Sequence, residues 1–367
     1  MEIVLGGDLA GLTIANQLNK PILIEKEYKV GGLSSSKRIA HYIVDRGLNV
    51  LNGINDDFKP LGRLIKRKKR VKICMSKNNL IDFNFPRKEN SEKNKPKIEN
   101  YLEYLNATFE DEGLNNFYIP YSEKFWGINL KELGIDWIEE NNNCSSDYFW
   151  YPKKGGIGYI SFRLFQELKR KNSMLLLNNG IAHIDFINNI IKTSSGFTMD
   201  YTKCYNTLPF PELIGEFPDN VKEAITSLKY TRNHYISYVI DKAYISSEYQ
   251  DLHWVYFPQK EVPFFRVNFP SNIGSNNCLP QKTLIQCEIN GNPVDCIKSL
   301  LDMGVVTKKP KKIFIDYAKY SNCIPTINRK KNFEIVNKFL NEHNIFNYGK
   351  FGTCENIQMY ESLNIKI

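Results

Sequence analysis

Long hydrophobic runs are absent from this chain of 367 residues. No stretch of about eighteen consecutive apolar residues occurs, so the sequence predicts no transmembrane helix. The first apolar strand pattern begins at residue 2, which leaves no room for a signal or transit peptide. We therefore expect a cytoplasmic protein.

Metal-binding and nucleophilic patterns are equally scarce. The eight cysteines show no C-x-x-C spacing and the five histidines are scattered, so we expect no metal site, no disulfide framework, and reduced thiols. No Ser-His-Asp, Cys-His or paired-carboxylate arrangement stands out. Each histidine lies in an apolar or strand-like context, which is typical of a packed side chain. The sequence therefore nominates no catalytic acid, base or nucleophile.

Acidic residues are outnumbered by basic ones. The formal net charge is +9, and residues 66–70 form a local basic cluster. Such a cluster can bind nucleic acid, but it leads directly into the alternating strand pattern of residues 71–75, so we favour a solvated hairpin arm. The remaining positive charge suits an anionic cofactor and an anionic small-molecule substrate. Nothing in the sequence indicates the oligomeric state.

The composition is typical of a folded globular protein. Hydrophobic residues make up 42% and aromatic residues 13% of the chain, which is typical of a globular protein. The length is sufficient for two lobes. No segment repeats at a fixed period.

The most informative pattern lies at the N-terminus. Residues 3–5 are apolar and predict a strand covered on both faces, and residues 12–18 continue at helical spacing. Between them lie Gly6, Gly7 and Gly11. In such a turn the backbone approaches a pyrophosphate closely, and the helix N-terminus supplies N–H groups and partial positive charge. The pattern is typical of a dinucleotide-binding fold.

Asp8 departs from that pattern. It stands at the middle glycine of G-x-G-x-x-G, where a side chain crowds the phosphate and a carboxylate repels it. Against this, a second apolar strand ends at Glu25, 19 positions after Gly6, where a carboxylate can accept hydrogen bonds from ribose hydroxyls. The alternative is a parallel βαβ unit that holds no nucleotide.

Further turns and strands follow along the chain. Gly31 and Gly32 form a second glycine pair in a polar loop, where they face a ligand or simply make a tight turn. Residues 56–150 are charged, aromatic and Asn-rich, and look like an inserted lobe. Strand patterns between residues 174 and 199, separated by Asn-Gly, Asn-Asn and Ser-Gly turns, predict an antiparallel meander. Residues 204–209 predict a strand that re-enters the main sheet.

Aromatic residues and one arginine occur together in the later part of the chain. His253-Trp-Val-Tyr-Phe-Pro258 is followed by Phe264-Phe-Arg266, which places aromatic rings and Arg266 on neighbouring strands. An aromatic wall with an arginine suits a sugar nucleotide or another planar anion. The alternative is a sheet core with Arg266 in a structural ion pair. Candidate substrate-binding residues are Trp126, Tyr256, Arg266 and Tyr317, with Tyr320 on the same footing.

These pieces, in this order, resemble the flavin-containing amine oxidase superfamily, in its protoporphyrinogen-oxidase-like and UDP-galactopyranose-mutase-like branch. The similar segments are residues 3–12 and 22–32 for the FAD-binding opening, 44–49 for D-x-G-x-H, 118–127 for P-Y-x-x-K-x-W-G, 151–158 for Y-P-x-x-G-G-x-G, 206–211 for the T-x-P strand, and 348–352 for the C-terminal glycine motif. Asn49 stands where the superfamily usually has histidine.

The resemblance implies an α/β fold, with a Rossmann-like FAD-binding domain (parallel sheet plus antiparallel meander) and an inserted α+β substrate domain. It implies that residues 1–55, 150–210 and 310–367 form the discontinuous FAD-binding domain. Residues 56–149 and 211–309 would form the substrate domain over the flavin.

The resemblance also implies which residues contact FAD. They are Gly6, Gly7, Asp8, Leu9, Ala10, Gly11, Glu25, Lys26, Gly31, Gly32, Leu33, Gly47, Leu48, Asn49, Ile181, Ala182, Thr207, Gly349, Lys350, Phe351, Ile357, Gln358 and Met359.

Three functions follow as hypotheses. The first is an FAD-dependent oxidoreductase that oxidises a small organic substrate, since flavins carry the chemistry and the protein orients the substrate. The second is a flavin-dependent mutase acting on a nucleotide sugar without net redox. The third is a non-catalytic relative whose FAD binding is weakened by Asp8.

Overall fold

The first layer of the molecule is a parallel five-stranded sheet. The computed structural model describes residues 1–53, 62–88, 98–138, 146–274 and 276–367. The sheet has the order β19-β13-β1-β2-β9, and every neighbouring pair is parallel. Its strands are β1 (Glu2–Leu5), β2 (Ile22–Ile24), β9 (Met174–Leu176), β13 (Lys203–Asn206) and β19 (Ile345–Asn347).

Helices cover both faces of this sheet. Val4 points to the face that packs on α1 (Leu9–Gln17) and α5 (Gly158–Arg170). Ile3 and Leu5 point to the other face, where α6 (Asp219–Ser227) and α9 (Arg329–Glu342) pack on each other. Burial on both faces explains why β1 is apolar at successive positions.

A small antiparallel meander lies beside the parallel sheet. It consists of β10 (Ile181–Asp185), β11 (Ile190–Thr193) and β12 (Thr198–Asp200). The prediction that the meander begins at residue 174 is wrong, because β9 pairs in parallel with β2 through Leu23 and Leu175. The sequence of a short apolar strand does not indicate which strand it pairs with, so only the folded sheet shows that β9 pairs with β2.

A seven-stranded sheet forms the second layer, in the order β18-β14-β17-β16-β15-β6-β7. Its pairs are antiparallel except β15 with β6. The strands are β6 (Val71–Ser76), β7 (Asn79–Ile81), β14 (Asn233–Asp241), β15 (Trp254–Tyr256), β16 (Arg266–Asn268), β17 (Lys282–Asn290) and β18 (Lys311–Ala318). An apolar cluster that includes Tyr238, Phe257, Ile285 and Leu300 fills one side of it.

The remaining elements connect the layers. Two small sheets are the hairpin β3 (Ser36–Ile39) with β4 (Tyr42–Asp45), and β5 (Leu64–Lys68) with β8 (Tyr148–Pro152). A helical cluster contains α2 (Tyr101–Thr108), α3 (Asp111–Gly113), a π-helical segment (Leu114–Tyr118) and α4 (Ile119–Trp126). The described residues also contain the short helices α7 (Pro270–Ile273), α8 (Ile297–Asp302), α10 (Gly349–Gly352) and α11 (Met359–Leu363).

The basic cluster lies on β5 and the turn after it. The prediction of a hairpin arm with the following strand is wrong, because β5 pairs with β8 and β6 joins the seven-stranded sheet. Lys66 Nζ lies 4.3 Å from the centre of the Tyr148 ring, so one of the basic groups contacts an aromatic face of β8.

Two segments, β18 and α6, were predicted to belong to one domain but pack with the layer of the other. β18 lies within residues 310–367, yet it pairs with β14 in the seven-stranded sheet. α6 lies within residues 211–309, yet it packs on α9 against the parallel sheet. The division into an FAD-binding and a substrate domain stays a prediction elsewhere.

One covalent link contradicts the expectation of reduced thiols throughout. Cys323 and Cys354 form a disulfide with a Cα–Cα distance of 5.4 Å across a sequence separation of 31 residues, while Cys74, Cys204, Cys278, Cys287 and Cys296 are free. The two cysteines come together only after α9 and α10 are placed, so their spacing in the sequence did not indicate the disulfide.

Among the described residues, no helix is both long and apolar enough to cross a membrane.

Candidate active site

A cavity of about 530 Å³ lies between the carboxyl ends of the parallel strands and the seven-stranded sheet. The parallel layer contributes loops that follow β1, β2 and β19, and the other layer contributes residues of β14 to β17. Its size is in the range of small-molecule sites. Its position also follows the rule that ligands of open α/β sheets bind outside the carboxyl ends of the strands.

Many of the predicted contact residues line this cavity together. They are Asp8, Leu9, Gly31, Gly32, Leu33, Gly47, Leu48, Asn49, Lys350, Phe351, Ile357, Gln358 and Met359, and from the predicted substrate set Trp126, Tyr256 and Arg266. They come from sequence positions up to more than 300 residues apart, and the fold brings them to one cavity. Their role in FAD binding stays a prediction.

The glycine turn after β1 places Asp8 at the start of α1. Asp8 is the N-cap residue, and its Oδ1 accepts a hydrogen bond from the Gly11 N–H at 2.9 Å. A Cβ on Gly11 would lie 2.0 Å from the carbonyl oxygen of Gly6, so only glycine lets α1 approach the strand. Burial raises the pKa of Asp8, and the hydrogen bonds from Gly11 and Thr207 oppose that shift.

Glu25 stabilises the same turn by accepting backbone hydrogen bonds. Its Oε2 accepts from the Gly7 N–H at 2.7 Å and its Oε1 from the Glu27 N–H at 2.8 Å. The side chain is buried and does not line the cavity, and burial raises its pKa. Each oxygen keeps a second lone pair, so the carboxylate can still accept from a ribose hydroxyl.

Two loops form the adjoining wall. Arg46 pairs with Asp316 at 3.0 Å, and its guanidinium donates to the Gly32 carbonyl at 3.4 Å. Asn49 donates through Nδ2 to the carbonyls of Leu33 and Arg46 at 3.1 and 2.9 Å. Asn49 therefore joins the two loops through its side-chain hydrogen bonds.

A buried ion pair stands on the opposite wall. Arg266 donates to Glu288 in a bidentate arrangement, with Nε–Oε1 and Nη2–Oε2 distances of 3.1 and 2.8 Å. Glu288 Oε1 also accepts from the Leu48 N–H at 2.8 Å, so this network connects the two layers. The structural ion pair considered as the alternative for Arg266 is present, and Arg266 lines the cavity as well.

Lys350 adds a cation on the C-terminal side. It lies on α10, whose Gly349 is needed because a Cβ there would lie 2.5 Å from Ala10 Cβ. Lys350 Nζ donates to Asn322 Oδ1 at 2.7 Å and has no carboxylate in ion-pairing distance within the described ranges. Burial, with Arg266 nearby, lowers the pKa of Lys350 to about 8. Such a group can attract an anion.

Aromatic rings close the remaining side. Tyr256 lies directly opposite Arg266 in the register of β15 and β16, which confirms that aromatics and arginine share neighbouring strands. Trp254 Nε1 donates to the Tyr256 hydroxyl at 3.0 Å. Trp126 is buried, and its ring meets Trp137 edge-on at 5.5 Å. The wall is therefore apolar, with polar atoms at few points.

Several predicted residues do not line the cavity. Gly6, Gly7, Ala10, Gly11, Thr207 and Gly349 lie just behind its wall, where they pack the turn, while Glu25, Lys26, Ile181 and Ala182 lie beyond it. Lys26 pairs with Glu212 at 2.9 Å, and Ile181 and Ala182 belong to the meander. Tyr317 is 43% exposed on β18 and stacks on His234, away from the cavity. Tyr320 contacts Tyr230 edge-on. Their roles in binding stay predictions.

Sequence reasoning missed Glu288, Asn322 and Tyr235, all of which line the cavity. Trp254 belongs to the aromatic segment that the sequence indicated, although it was not named as a candidate. Glu288 had a signal, because it is an acid between the apolar residues Cys287 and Ile289 of β17. Asn322 had none, since it lies in an irregular segment before α9.

Comparisons with known proteins agree with this architecture. Residues 4–67 match the family of NAD(P)-binding Rossmann-like domains. The fold is similar to a crystal structure of reduced UDP-galactopyranose mutase, with a TM-score of 0.87 and 18% identity over 99% of this chain and 92% of that chain.

Two further solved structures share the fold. A protein from Exiguobacterium sp. 255-15, provisionally described as a protoporphyrinogen oxidase, has a TM-score of 0.75 and 15% identity over 99% of this chain and 96% of that chain. An oxidoreductase from Methanosarcina mazei has a TM-score of 0.70 and 14% identity over 99% and 98%. These likenesses confirm the predicted α/β class with its Rossmann-like domain.

Proposed function

We propose that this chain is an FAD-dependent oxidoreductase of the amine oxidase and protoporphyrinogen-oxidase-like type, which oxidises a small organic substrate at the flavin. The observation that carries the proposal is the single cavity wall built from the turn after β1 and the segment after β19. The glycines of both are required for α1 and α10 to pack closely.

The residues present fit a dinucleotide cofactor at all but one point. Gly11 lets α1 approach β1, Gly32 leaves a gap beside Asp8, and Glu25 offers spare lone pairs at the end of β2. A Cβ on Gly32 would lie 3.1 Å from Asp8 Cβ, so glycine at this position keeps the space between the two turns open. The exception is the carboxyl of Asp8.

The chain's own residues would divide the work as follows. The α1 N-terminus, Gly31 and Gly32 would hold the diphosphate, Glu25 the ribose, and Lys350 with residues 357–359 the flavin end. When bound, FAD supplies the two-electron acceptor for the oxidation. Arg266 is fixed by Glu288 and would orient an anionic part of the substrate, while Tyr256 and Trp126 exclude water.

The first test is FAD uptake. Purified protein is incubated with micromolar FAD and desalted, and retained flavin is measured by its visible absorbance. Retention in a stoichiometric amount supports the proposal, and a colourless protein that takes up none overturns it.

A matched pair of lysines tests the assigned site. Lys350→Met removes the cavity cation and should raise the Kd for FAD about tenfold or more, since a hydrogen bond to a charged group contributes roughly 1.5–3 kcal/mol. Lys319→Met removes an exposed lysine paired with Glu212 and should leave the Kd unchanged. Equal affinities of both variants would contradict the placement of FAD in this cavity.

A nucleotide-sugar mutase is the second candidate. It is favoured by the similarity to the mutase structure over 99% of the chain and by the aromatic wall with Arg266. The test is a panel of UDP-hexoses with reduced, FAD-loaded protein, in which sugar isomers are separated by chromatography. Isomerisation without net oxidation of the flavin would favour the mutase. A substrate-dependent reduction of oxidised flavin would favour the oxidoreductase.

A further inference from the structure

We propose that Asp8 couples FAD binding to the uptake of one proton, so that the chain binds the dinucleotide with Asp8 in its neutral form. The inference rests on the proposed function, because it concerns the cofactor named there. It deepens that proposal by assigning a regulation of the same site to the residue that departs from the glycine pattern.

The geometry places the Asp8 carboxyl in the path of the cofactor. Asp8 is the N-cap of the nine-residue helix α1 and lines the cavity beside Gly32. Its Oδ1 already accepts from the Gly11 N–H, one of the donors that a helix N-terminus otherwise offers to a phosphate. An incoming diphosphate would therefore meet a carboxyl oxygen at close range.

The charges around Asp8 make an ionised carboxylate costly there. Across the described residues no lysine or arginine lies within ion-pairing distance of Asp8. Arg46 lines the cavity but is already paired with Asp316, Lys350 is bonded to Asn322, and Glu25 on the neighbouring strand adds a second acid. A diphosphate next to ionised Asp8 would be repelled, whereas a protonated carboxyl can donate to a phosphate oxygen.

Thr207 lets the site accept either protonation state. Its hydroxyl lies 3.0 Å from Asp8 Oδ1 and 2.8 Å from the Leu5 carbonyl, and it has one proton for the two contacts. When Asp8 is ionised, the hydroxyl can donate to Asp8. When Asp8 is protonated and no phosphate is bound, the hydroxyl can donate to Leu5 and accept from Asp8. Protonation therefore needs no repacking, and burial raises the pKa of Asp8.

The experiment measures FAD affinity and proton uptake together. Isothermal titration of the apoprotein with FAD is run from pH 5.5 to 7.5, below the pKa of Lys350, in buffers of different ionisation enthalpy. For the natural chain we expect uptake of about one proton at the upper end, and a Kd that rises about tenfold per pH unit there. Asp8→Asn keeps the acceptor for Gly11 and should show neither effect.

Further measurements separate the outcomes. Glu27→Gln removes a nearby exposed acid that does not line the cavity and should keep the proton uptake. Thermal melts show whether each variant is folded. The same proton uptake in Asp8→Asn as in the natural chain overturns the inference while FAD binding, and so the proposed function, still stands. Failure of the natural chain, Asp8→Asn and Asp8→Gly to bind FAD at any pH overturns both.

Discussion

Two glycine turns lead into helices on the same face of the parallel sheet. At each turn, an aspartate side chain accepts a hydrogen bond from a backbone N–H at the start of the helix. At the first turn Asp8 accepts from the Gly11 N–H of α1. At the second, residues 155–158 lead into α5, and Asp45 Oδ1 accepts from the Ile157 N–H at 3.2 Å. Burial raises the pKa of both carboxyls.

The turns differ in what surrounds the carboxyl. Asp45 is enclosed by protein donors: Ser36 Oγ at 2.6 Å and the Tyr151 hydroxyl at 2.6 Å. A Cβ on Gly156 would lie 2.4 Å from Ser36 Oγ and 2.6 Å from Asp45 Oδ1, so this turn packs directly on the carboxyl. Asp8 faces the cavity instead. The same local motif therefore serves packing at one turn and is open to a ligand at the other, and the surroundings decide which.

The largest effect should come from closing the first turn. Gly11→Ala places a Cβ 2.0 Å from the Gly6 carbonyl, so α1 must move away from β1. We expect the free energy of unfolding to fall by about 3 kcal/mol or more, with loss of FAD binding. Gly180→Ala is the control, since its Cβ would meet nothing closer than 3.7 Å. Urea denaturation measures both, and equal stability of the two variants would contradict the packing role.

The two aspartates should differ when truncated. Asp45→Ala leaves three buried donors without their acceptor and should cost about 3 kcal/mol of unfolding free energy. Asp8→Ala removes mainly a helix cap and should cost about 1 kcal/mol. Equal losses in chemical denaturation would mean that the two turns are equivalent after all.

The pH dependence of stability should isolate Asp45. Burial raises its pKa from 3.8 to about 6, so the folded state holds the proton more tightly than the unfolded state does. The free energy of unfolding should therefore fall as pH rises from about 4 to about 6, by roughly 2–3 kcal/mol, and then level off. Asp45→Asn should lose this contribution, so the difference between the two curves reports it. A flat difference would argue against proton binding at Asp45.

The smallest effect concerns the second oxygen of Asp45. Tyr151→Phe removes the hydroxyl that donates to Oδ2 and should cost about 1–2 kcal/mol at neutral pH. Because that donor favours the ionised form, its loss should move the fall in stability to higher pH. The midpoint of the pH curve is the measurement, and an unmoved midpoint would show that Tyr151 acts by packing alone.

Much of the first layer was predictable because its signals are local. Residues 3–5, the turn at Gly6 to Gly11 and the strand before Glu25 form the expected βαβ unit. In the second layer, Tyr256 lies opposite Arg266, as expected for neighbouring strands. The partners of β5, β9 and β18 were not predictable in the same way. A strand of three to eight residues has the same periodicity whichever neighbour it meets.

The candidate site also has features that the local sequence predicts and features that depend on tertiary packing. Glycine positions and the acid that follows β2 depend on backbone requirements that act over a few residues, so the sequence by itself determined that a helix follows the glycine turn. The pattern placed helical spacing at residues 12–18, whereas α1 begins at Leu9 with Asp8 as its N-cap. Only the tertiary structure decided that Asp8 faces a cavity while Asp45 is sealed, that Glu288 holds Arg266, and that Cys323 meets Cys354. Those outcomes depend on packing between segments far apart in the chain, which no local pattern encodes.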